Sequence, residues 1–340
     1  IEDTDQERST AEATQAILDG MKWLNLDYDN KEVVYQMNRL ERYRQVANDL
    51  LERGLAYKDY TTKEELDQLR EEQKARGEKT RYDGRWRPEN AVGKEIPAGV
   101  TPVIRFRNPD DGIVTWNDAV YGPISVSNTE LDDLVIMRGD GIPTYNFAVV
   151  IDDFDMQISH VIRGADHINN TPRQINLYKA IGAPLPTFAH LPLIHGEDGK
   201  KLSKRRNAVS VMQYDEMGFL PETLFNYLAR LGWGHGDDEM FTREQLAEWF
   251  DLSDCSRSPA QFNMKKLLWL NHEYMKKADN ARLVELLKPR LEKRGADLSK
   301  VKDLCGLVGF LKERENTLEA LADASMLFFA DNPVDASSLP

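Results

Sequence analysis

The sequence has little cysteine, no long apolar segment and no excess of positive charge. Its 340 residues include two cysteines, Cys255 and Cys305, and no CxxC pair. This excludes a disulfide framework and a cysteine-based zinc site. No uncharged apolar run approaches the roughly 20 residues that a membrane-spanning helix needs. With 41% hydrophobic and 30% charged residues, the chain is predicted to be globular and cytoplasmic, with no membrane partner.

The formal net charge of -13 argues against a protein that binds polyanions over its whole surface. The charge is unevenly distributed along the chain, however. Residues 1–30 carry a net charge of -6, whereas residues 70–107 contain ten basic and six acidic residues, a net +4. Residues 200–206 carry five positive charges and no acid. The sequence therefore predicts two positively charged regions in an acidic protein.

The first part of the chain is predicted to be helical. A chain of 340 residues is longer than one hydrophobic core usually supports, so two or three domains are expected. Apolar periodicity predicts helices at 9–25, 31–53 and 61–76. Between 80 and 126 the pattern changes to short strand-like pieces broken by proline and glycine, which indicates a small mixed subdomain inserted in the chain.

The middle of the chain is predicted to form an open α/β sheet. NFAVVIDDFDM (146–156) has a continuous apolar run that ends in acids, as a buried parallel strand does at its carboxyl end. SHVIRGADH (159–167) and AHLPLIHG (189–196) follow the same format, with a helix predicted at 172–181 between them. After about residue 208 the pattern is helical almost to the end.

The segment KKLSKRR (200–206) has the chemistry of a phosphate-binding loop. Lys201 and Lys204 are separated by Leu202 and Ser203, on a glycine-flanked loop that follows a predicted strand. Two mobile ammonium groups at this spacing can close on a polyphosphate as point charges. The alternative is a solvated basic loop that binds anions weakly.

Several segments together resemble one enzyme family. KLSKR resembles the KMSKS signature of class I aminoacyl-tRNA synthetases, and further segments look like bacterial glutamyl-tRNA synthetase. These segments are IEDTDQERS (1–9), RYDGRWR (81–87), GIPTYNFAVVIDD (141–153) and HVIRGADHINNTPRQINLY (160–178). The resemblance is dense from Ile1 to about Tyr274 and thinner beyond it.

The resemblance implies an α/β fold. The catalytic domain would be a Rossmann-type parallel sheet, incomplete at its N-terminus, with an inserted mixed α/β subdomain and all-helical C-terminal domains. The implied boundaries are 1–54 and 141–195 for the catalytic domain, 55–140 for an acceptor-stem-binding insert, 196–277 for the KLSKR loop and a helical stem-contact domain, and 278–340 for the start of an anticodon-binding domain.

The resemblance also implies a glutamate site. Glu2, in the EDTD element at the end of a strand, would accept the α-amino group, and Arg163 would pair with a substrate carboxylate through its planar guanidinium. Tyr145 would line the same pocket. Each residue has a structural alternative: Glu2 as an acid that supports a helix cap, Arg163 as an interdomain salt bridge, and Tyr145 as a core aromatic.

ATP, as its Mg²⁺ complex, would be bound by the loop. The resemblance gives Lys201, Ser203, Lys204 and Arg205 as ATP-binding residues. Lys204 would hold the phosphates and stabilise the charge that develops at the α-phosphorus, with Lys201 in support.

Two departures from the family pattern affect the site. The family commonly has an acid where this chain has Ala165, so Asp166 would have to supply any polar support there. Some bacterial members carry a cysteine-based zinc knob in the insert, but the matching positions here have no cysteine, so no zinc and no other bound metal is expected. These positions are Lys58, Asp59, Tyr60 and Trp86.

The family's HIGH element has no counterpart in this sequence, since none of the six histidines lies in an HxGH context. Because this element helps to bind ATP in the family, the resemblance implies a longer natural protein, with residues before Ile1. The ending DNPVDASSLP also comes early for the family's anticodon-binding region.

The implied function is that of a glutamate-tRNA ligase. It would activate L-glutamate with ATP and transfer it to the 3′ end of tRNA(Glu), as a monomer whose positive insert faces the acceptor end. One alternative is the related synthetase that glutamylates a modified, queuosine-type tRNA base, which lacks the C-terminal helical domain. A glutaminyl-tRNA synthetase fits EDTD and KLSKR less well. For the chain without HIGH, a non-catalytic tRNA-binding fragment is a further alternative.

Overall fold

The structure is a computed structural model that describes residues 1–30, 32–202 and 210–329. The helices are α1 (Ala11–Trp23), α2 (Leu40–Glu52), α3 (Lys63–Ala75), α4 (Tyr145–Asp155), α5 (Thr171–Ile181), α6 (Val211–Glu216), α7 (Pro221–Arg230), α8 (Arg243–Trp249), α9 (Met264–Lys277), α10 (Asn280–Lys293), α11 (Leu304–Leu311) and α12 (Leu318–Ser325). The strands are β1 (Ala56–Asp59), β2 (Val103–Phe106), β3 (Ile113–Asp118), β4 (Gly122–Ser127), β5 (Val135–Met137), β6 (His160–Gly164), β7 (Thr187–Leu191), β8 (Ile194–His195) and β9 (Ala260–Gln261).

The chain divides into two compact units. The first unit contains residues 1–14 and 30–191, and the second contains residues 15–29 and the described residues from 192 onward. The first unit mixes helices with strands β1 to β7, whereas the second is helical apart from the short parallel pair β8 and β9. Among the described residues, none of the helices has the length and apolar character needed to cross a bilayer.

The first unit contains a parallel strand pair and two antiparallel arrangements. β6 pairs in parallel with β7, with Arg163 opposite His190 in the register. In the predicted insert, β1, β2 and β5 form an antiparallel sheet in the order β1-β2-β5, and β3 and β4 form a hairpin. The α/β fold class and the mixed insert predicted from the sequence are confirmed, as are the strands at β6 and β7.

The strand predicted at 146–156 is wrong, because residues 146–155 lie in helix α4 instead. Six consecutive residues of this helix, from Phe147 to Asp152, are buried. A helix that is buried on every side has no polar face, so its apolar run resembles that of a buried strand. The preceding Pro143 and Thr144 lie in extended chain, and the helix starts directly after them.

One smaller expectation also differs from the structure. The predicted helix at 31–53 is shorter, because residues 32–35 are irregular and a 3-10 turn at Gln36–Arg39 precedes α2. Residues 1–5 are irregular. The strand expected to end at Glu2 would precede Ile1, so that expectation stays a prediction. The segment at Glu2 is nevertheless fixed, because the Gln36 N–H donates to the Ile1 carbonyl at 3.1 Å and the Met37 N–H donates to Asp3 Oδ1 at 2.9 Å.

Two buried carboxylates hold the insert together. The Asp133 side chain is 2% exposed and accepts hydrogen bonds from Tyr57 Oη at 2.5 Å and from Arg87 Nε and Nη2, both at 2.7 Å. Asp59 pairs with Arg105 at 2.5 Å, and the Arg105 guanidinium lies 3.7 Å from the centre of the Tyr82 ring. Ion pairs, the Tyr57 hydrogen bond and the Arg105–Tyr82 contact therefore connect β1, β2 and the RYDGRWR segment.

The basic residues of 70–107 all have partners within the protein. The partners are carboxylates for Arg70, Lys74, Arg76, Arg85, Arg87, Arg105 and Arg107, and backbone carbonyls for Lys79, Arg81 and Lys94. Four of the carboxylates lie outside this segment, at Asp59, Asp67, Asp110 and Asp133. These four offset the net +4, so net charge alone does not identify the insert as a phosphate-binding surface.

The second unit is built on a helical core. Buried leucines of α10, together with Val308 of α11 and Leu321 of α12, form one apolar cluster. Gly218 has a φ of +84° and lies so close to the start of α12 that a Cβ there would be 2.5 Å from the Glu319 nitrogen. Glycine is therefore required at this turn, which joins α6 to α7.

Candidate functional site

The first unit brings together the three residues predicted to bind glutamate. Glu2 lies in the irregular segment at 1–5, Tyr145 is the first residue of α4, and Arg163 lies near the carboxyl end of β6. Glu2 interacts electrostatically with Arg163. Tyr145 interacts electrostatically with both of them. The three residues interact with one another, and both the shared glutamate pocket and their individual roles stay predictions.

Glu2 lies in an acidic environment. The pKa of its carboxyl is raised, mainly by desolvation within the surrounding protein and further by Asp153 and Asp152, while the ammonium group of Ile1 and, less strongly, Arg163 act in the opposite direction. The side chain is nevertheless open to solvent. A ligand ammonium group beside Glu2 would relieve this repulsion between like charges.

Asp152 and Asp153 differ in how their charges are compensated. Asp152 is buried and accepts hydrogen bonds from Arg39 Nε at 2.8 Å and from Tyr43 Oη at 2.8 Å. Asp153 accepts one from Tyr178 Oη at 2.9 Å, and its pKa is raised, mainly by burial and further by Asp152. Sequence reasoning missed this acid pair as part of the site, because the acids were assigned to the end of a strand.

Tyr145 is held by residues of the 3-10 helix Ala165–Asn170. Its hydroxyl lies 3.2 Å from His167 Nδ1, and the two rings are 5.6 Å apart at a tilt of 58°. Burial raises the pKa of Tyr145, and the charge of Glu2 raises it further. The phenol therefore stays protonated at neutral pH and remains a hydrogen-bond donor.

Arg163 is bound by uncharged neighbours. Its Nε donates to His190 Nε2 at 3.2 Å and its Nη2 donates to Thr171 Oγ1 at 2.9 Å. In the described part of the chain, no carboxylate forms a salt bridge with Arg163, so the interdomain salt bridge finds no support there. His190 is fully buried, and its Nδ1 lies 2.5 Å from Asp118 Oδ2.

Sequence reasoning missed His190, Asp118 and Thr171. The only signal in the sequence was the polar residue His190 within the apolar strand pattern AHLPLIHG. A buried polar residue needs a partner, but Asp118 is 72 residues away along the chain. The sequence alone does not indicate that distant partner.

Asp166 follows Arg163 by three residues, and it is exposed whereas Arg163 is partly buried. The Asp166 side chain is exposed, and its Oδ1 lies 2.6 Å from where a Cβ on Gly164 would be. Glycine at 164 therefore lets Asp166 fold back over the end of β6. The polar support expected from Asp166, in place of the acid missing at Ala165, stays a prediction.

Lys201 lies at the end of a tight hairpin in the second unit. The Gly196 N–H donates to the Lys200 carbonyl at 2.8 Å, and the Leu202 N–H donates to the Ile194 carbonyl at 3.0 Å. Lys201 is exposed, and its backbone forms an antiparallel β-bridge with His195. The other loop residues predicted to bind ATP, Ser203, Lys204 and Arg205, lie outside the described residues.

Potential metal ligands are not clustered in the described part of the chain. Within residues 1–30, 32–202 and 210–329, no group of three or more His, Cys, Asp or Glu side chains is arranged to hold a metal ion. At the positions matching the family's zinc knob, Asp59 is engaged by Arg105, and the rings of Tyr60 and Trp86 are 5.1 Å apart. The side chains at these positions therefore pack with each other and with their neighbours.

Comparison with known proteins places these residues in a family context. The model of the family described as tRNA synthetases class I (E and Q), catalytic domain, matches residues 1–269. The chain is 62% identical to the glutamate-tRNA ligase of Nitrosospira multiformis over 97% of its own length and 70% of that protein. It is 57% identical to the glutamate-tRNA ligase of Janthinobacterium sp. over its whole length and 73% of that protein.

A solved structure has the same fold. It is that of a glutamate tRNA ligase from Elizabethkingia meningosepticum in complex with its amino acid, and it superimposes with a TM-score of 0.86 at 32% identity. The match covers 99% of this chain and 74% of that one. With a family model that covers most of the chain and relatives of this similarity, the chain belongs to the class I tRNA synthetases of the E and Q type, among the glutamate-tRNA ligases.

Proposed function

We propose that Glu2, Tyr145 and Arg163 bind L-glutamate for ATP-dependent attachment to tRNA(Glu). The observation that carries this proposal is the joint presence of an acid-rich position at Glu2 and a guanidinium at Arg163, linked through Tyr145. Glutamate has one ammonium and two carboxylate groups, so it complements a carboxylate and a guanidinium that lie near each other. The protonated Tyr145 adds a hydrogen-bond donor between them.

The reaction has two steps. The α-carboxylate of glutamate attacks the α-phosphorus of ATP, which forms glutamyl-adenylate and releases pyrophosphate. A hydroxyl of the terminal ribose of tRNA then attacks the acyl carbon and releases AMP. Neither step needs a covalent bond to the protein, so catalysis rests on positioning and on stabilising charge.

The KLSKR loop is proposed to act on ATP, which enters as its magnesium complex. Lys204 would stabilise the charge that grows as pyrophosphate leaves, with support from Lys201. Ser203 and Arg205 would contact the phosphates. Support comes from the motif and from the exposure of Lys201, which lies at the end of a hairpin.

The partners follow from this reaction. They are glutamate, ATP and tRNA(Glu), and the place of action is the cytoplasm, where tRNA is used. We propose that the chain acts as a monomer. We also propose that it consists of two catalytic segments (1–54 and 141–195), an acceptor-stem-binding insert (55–140), a region with the KLSKR loop and a helical stem-contact domain (196–277), and the start of an anticodon-binding domain (278–340). Because the basic residues of 70–107 have partners within the protein, contact of the insert with tRNA would rely on shape as well as charge.

Charging of tRNA with labelled glutamate tests the proposal. The full-length protein, ATP and cellular tRNA are incubated with labelled glutamate or glutamine, and nuclease digestion then locates the label. We expect glutamate, and not glutamine, on the 3′-terminal adenosine. Label on an internal modified base would favour the queuosine-type alternative, and failure to form any adenylate would favour a tRNA-binding role without catalysis.

A further inference from the structure

The guanidinium of Arg163 donates to a buried histidine, which is itself hydrogen-bonded to a buried aspartate, and both residues lie outside the recognised motifs. His190 and the Asp118 side chain are both 0% exposed. Asp118 also accepts hydrogen bonds from the backbone N–H groups of Val120 at 3.1 Å, Tyr121 at 3.0 Å and His190 at 3.2 Å. The pair is therefore anchored to β7 and to the end of β3.

Hydrogen-bond roles fix the proton on His190. The Nε of Arg163 can only donate, so His190 Nε2, 3.2 Å away, must accept with its lone pair. The proton then lies on Nδ1, where it is donated to Asp118. The histidine is neutral in this arrangement. In agreement, burial lowers the pKa of His190, although Asp118 acts in the opposite direction.

We propose that His190 and Asp118 are positioning residues, which fix the plane of the Arg163 guanidinium for a substrate carboxylate without neutralising its charge. This rests on the glutamate-binding role proposed for Arg163. A carboxylate in direct contact would compete with the substrate for the guanidinium. The neutral imidazole separates the charge of Asp118 from Arg163, so Arg163 is oriented and its charge remains available to a ligand.

Two substitutions of His190 separate its two hydrogen bonds. The amide of His190→Asn reaches about as far as Nδ1, so it keeps the bond to Asp118 and loses the acceptor for Arg163. The longer side chain of His190→Gln places its amide near the position of Nε2, so it keeps the acceptor and loses Asp118. Comparison of the two variants shows whether the hydrogen bond to Arg163 contributes to glutamate binding.

The readout is ATP-pyrophosphate exchange by the full-length protein, with tRNA present. For His190→Asn we expect the glutamate KM to rise about tenfold to a hundredfold, the effect of losing a hydrogen bond to a charged group. The KM for ATP and kcat should stay within about twofold. His190→Gln should raise the glutamate KM by less than His190→Asn. An unchanged KM in His190→Asn, or an equal rise in both variants, would overturn the proposal.

The matched control is the exposed pair of His235 and Asp238, whose Nδ1 to Oδ2 distance is 3.1 Å. His235→Asn removes the same kind of side chain from a solvent-exposed site. Its glutamate KM should equal that of the wild type. A rise similar to that of His190→Asn would attribute the effect to histidine loss in general and overturn the proposal.

The tautomer of His190 can be measured in the wild-type protein, so this test depends neither on enzymatic activity nor on the folding of a variant. Nitrogen NMR of the ¹⁵N-histidine-labelled protein should show Nδ1 protonated and Nε2 unprotonated at neutral pH. A proton on Nε2 would overturn the proposal. If Arg163→Ala leaves the glutamate KM unchanged, the proposal fails together with the glutamate-binding role. If Arg163→Ala raises it and His190→Asn does not, positioning fails alone.

Discussion

At Arg163, one truncation distinguishes a ligand-binding residue from a structural one. Arg163→Ala removes one partner of a charge-assisted contact with a substrate carboxylate, which costs about 2 to 5 kcal/mol. We expect the glutamate KM to rise roughly thirtyfold or more, measured by ATP-pyrophosphate exchange with tRNA present. An unchanged KM in a folded variant would return Arg163 to a purely structural role. The control is Arg53→Ala, because Arg53, the residue after α2, forms an exposed pair with Asp49 of that helix.

His190 also predicts how stability depends on pH. Burial lowers the pKa of His190 in the folded protein, whereas the unfolded chain has an ordinary value of about 6.5. The unfolded state therefore binds the proton first as the pH falls. The stabilisation is present in full above about pH 6.5 and is lost as the pH decreases toward the lower, folded value. Asp118, whose pKa is also lowered, contributes a similar loss only in the range below about pH 4.

Melting temperatures measured between about pH 7.5 and 5 test this expectation. The melting temperature of the wild type should fall more steeply with acidification than that of His190→Asn, which has no titrating group at this position. Parallel curves for the two proteins would show that the histidine has no depressed pKa in the folded state.

The residues of the site differ in how far the sequence reveals them. Glu2, Tyr145 and Arg163 lie in motifs, so a resemblance alone brings them together. His190 and Asp118 are joined only by the packing of β3 beside β7, where the Ala119 N–H donates to the Phe188 carbonyl at 2.8 Å. Contacts of this kind depend on tertiary structure, which local periodicity does not encode.

At the scale of elements, amphipathic helices are predicted better than buried ones. α3 was predicted at 61–76 and spans Lys63–Ala75, with a capping box at Thr62 and Glu65. α4 was misassigned, because its burial removes the polar face on which the helical period depends. Hydrophobic period thus reports the environment of an element as much as its conformation.

The insert tests how far one buried carboxylate supports an element. Asp133→Ala leaves the Arg87 guanidinium, 15% exposed, without its main partner, and breaking a buried pair in this way costs about 3 to 5 kcal/mol. We expect the midpoint of urea unfolding, measured by tryptophan fluorescence, to fall accordingly. Asp110→Asn weakens the exposed contact of the same arginine and should cost no more than about 1 kcal/mol. Equal effects would mean that burial of Asp133 contributes nothing.

The KLSKR loop predicts an effect on rate rather than on affinity. In the ground state, magnesium and solvent already counter the phosphate charges, but charge grows on the departing pyrophosphate in the transition state. Lys204→Ala should therefore lower kcat about 10²- to 10³-fold in ATP-pyrophosphate exchange. Lys201→Ala should have a smaller effect, and Arg206→Ala, outside the matched motif, almost none. A raised KM for ATP with an intact kcat would show a binding clamp instead.

At the scale of the whole molecule, the absence of zinc remains a prediction. The two cysteines are fifty residues apart, and the ion pairs of Asp133 and Asp59 hold the insert. Elemental analysis of the dialysed full-length protein should find less than stoichiometric zinc. Treatment with a chelator should leave its melting temperature unchanged, because a structural metal would contribute directly to folding. Stoichiometric zinc would contradict the prediction.

The interleaving of the two units has a consequence for synthesis on the ribosome. Residues 15–29 belong to the second unit, where the Leu24 carbonyl accepts a hydrogen bond from Arg243 Nη2 at 2.6 Å, 219 residues later. At about 5 to 20 residues per second, Arg243 is added roughly 10 to 45 s after Leu24. All residues of the first unit leave the ribosome before Arg243 does. The nascent chain therefore carries most of α1 without its final neighbours for much of translation, and this helix docks only after the later part of the second unit has emerged.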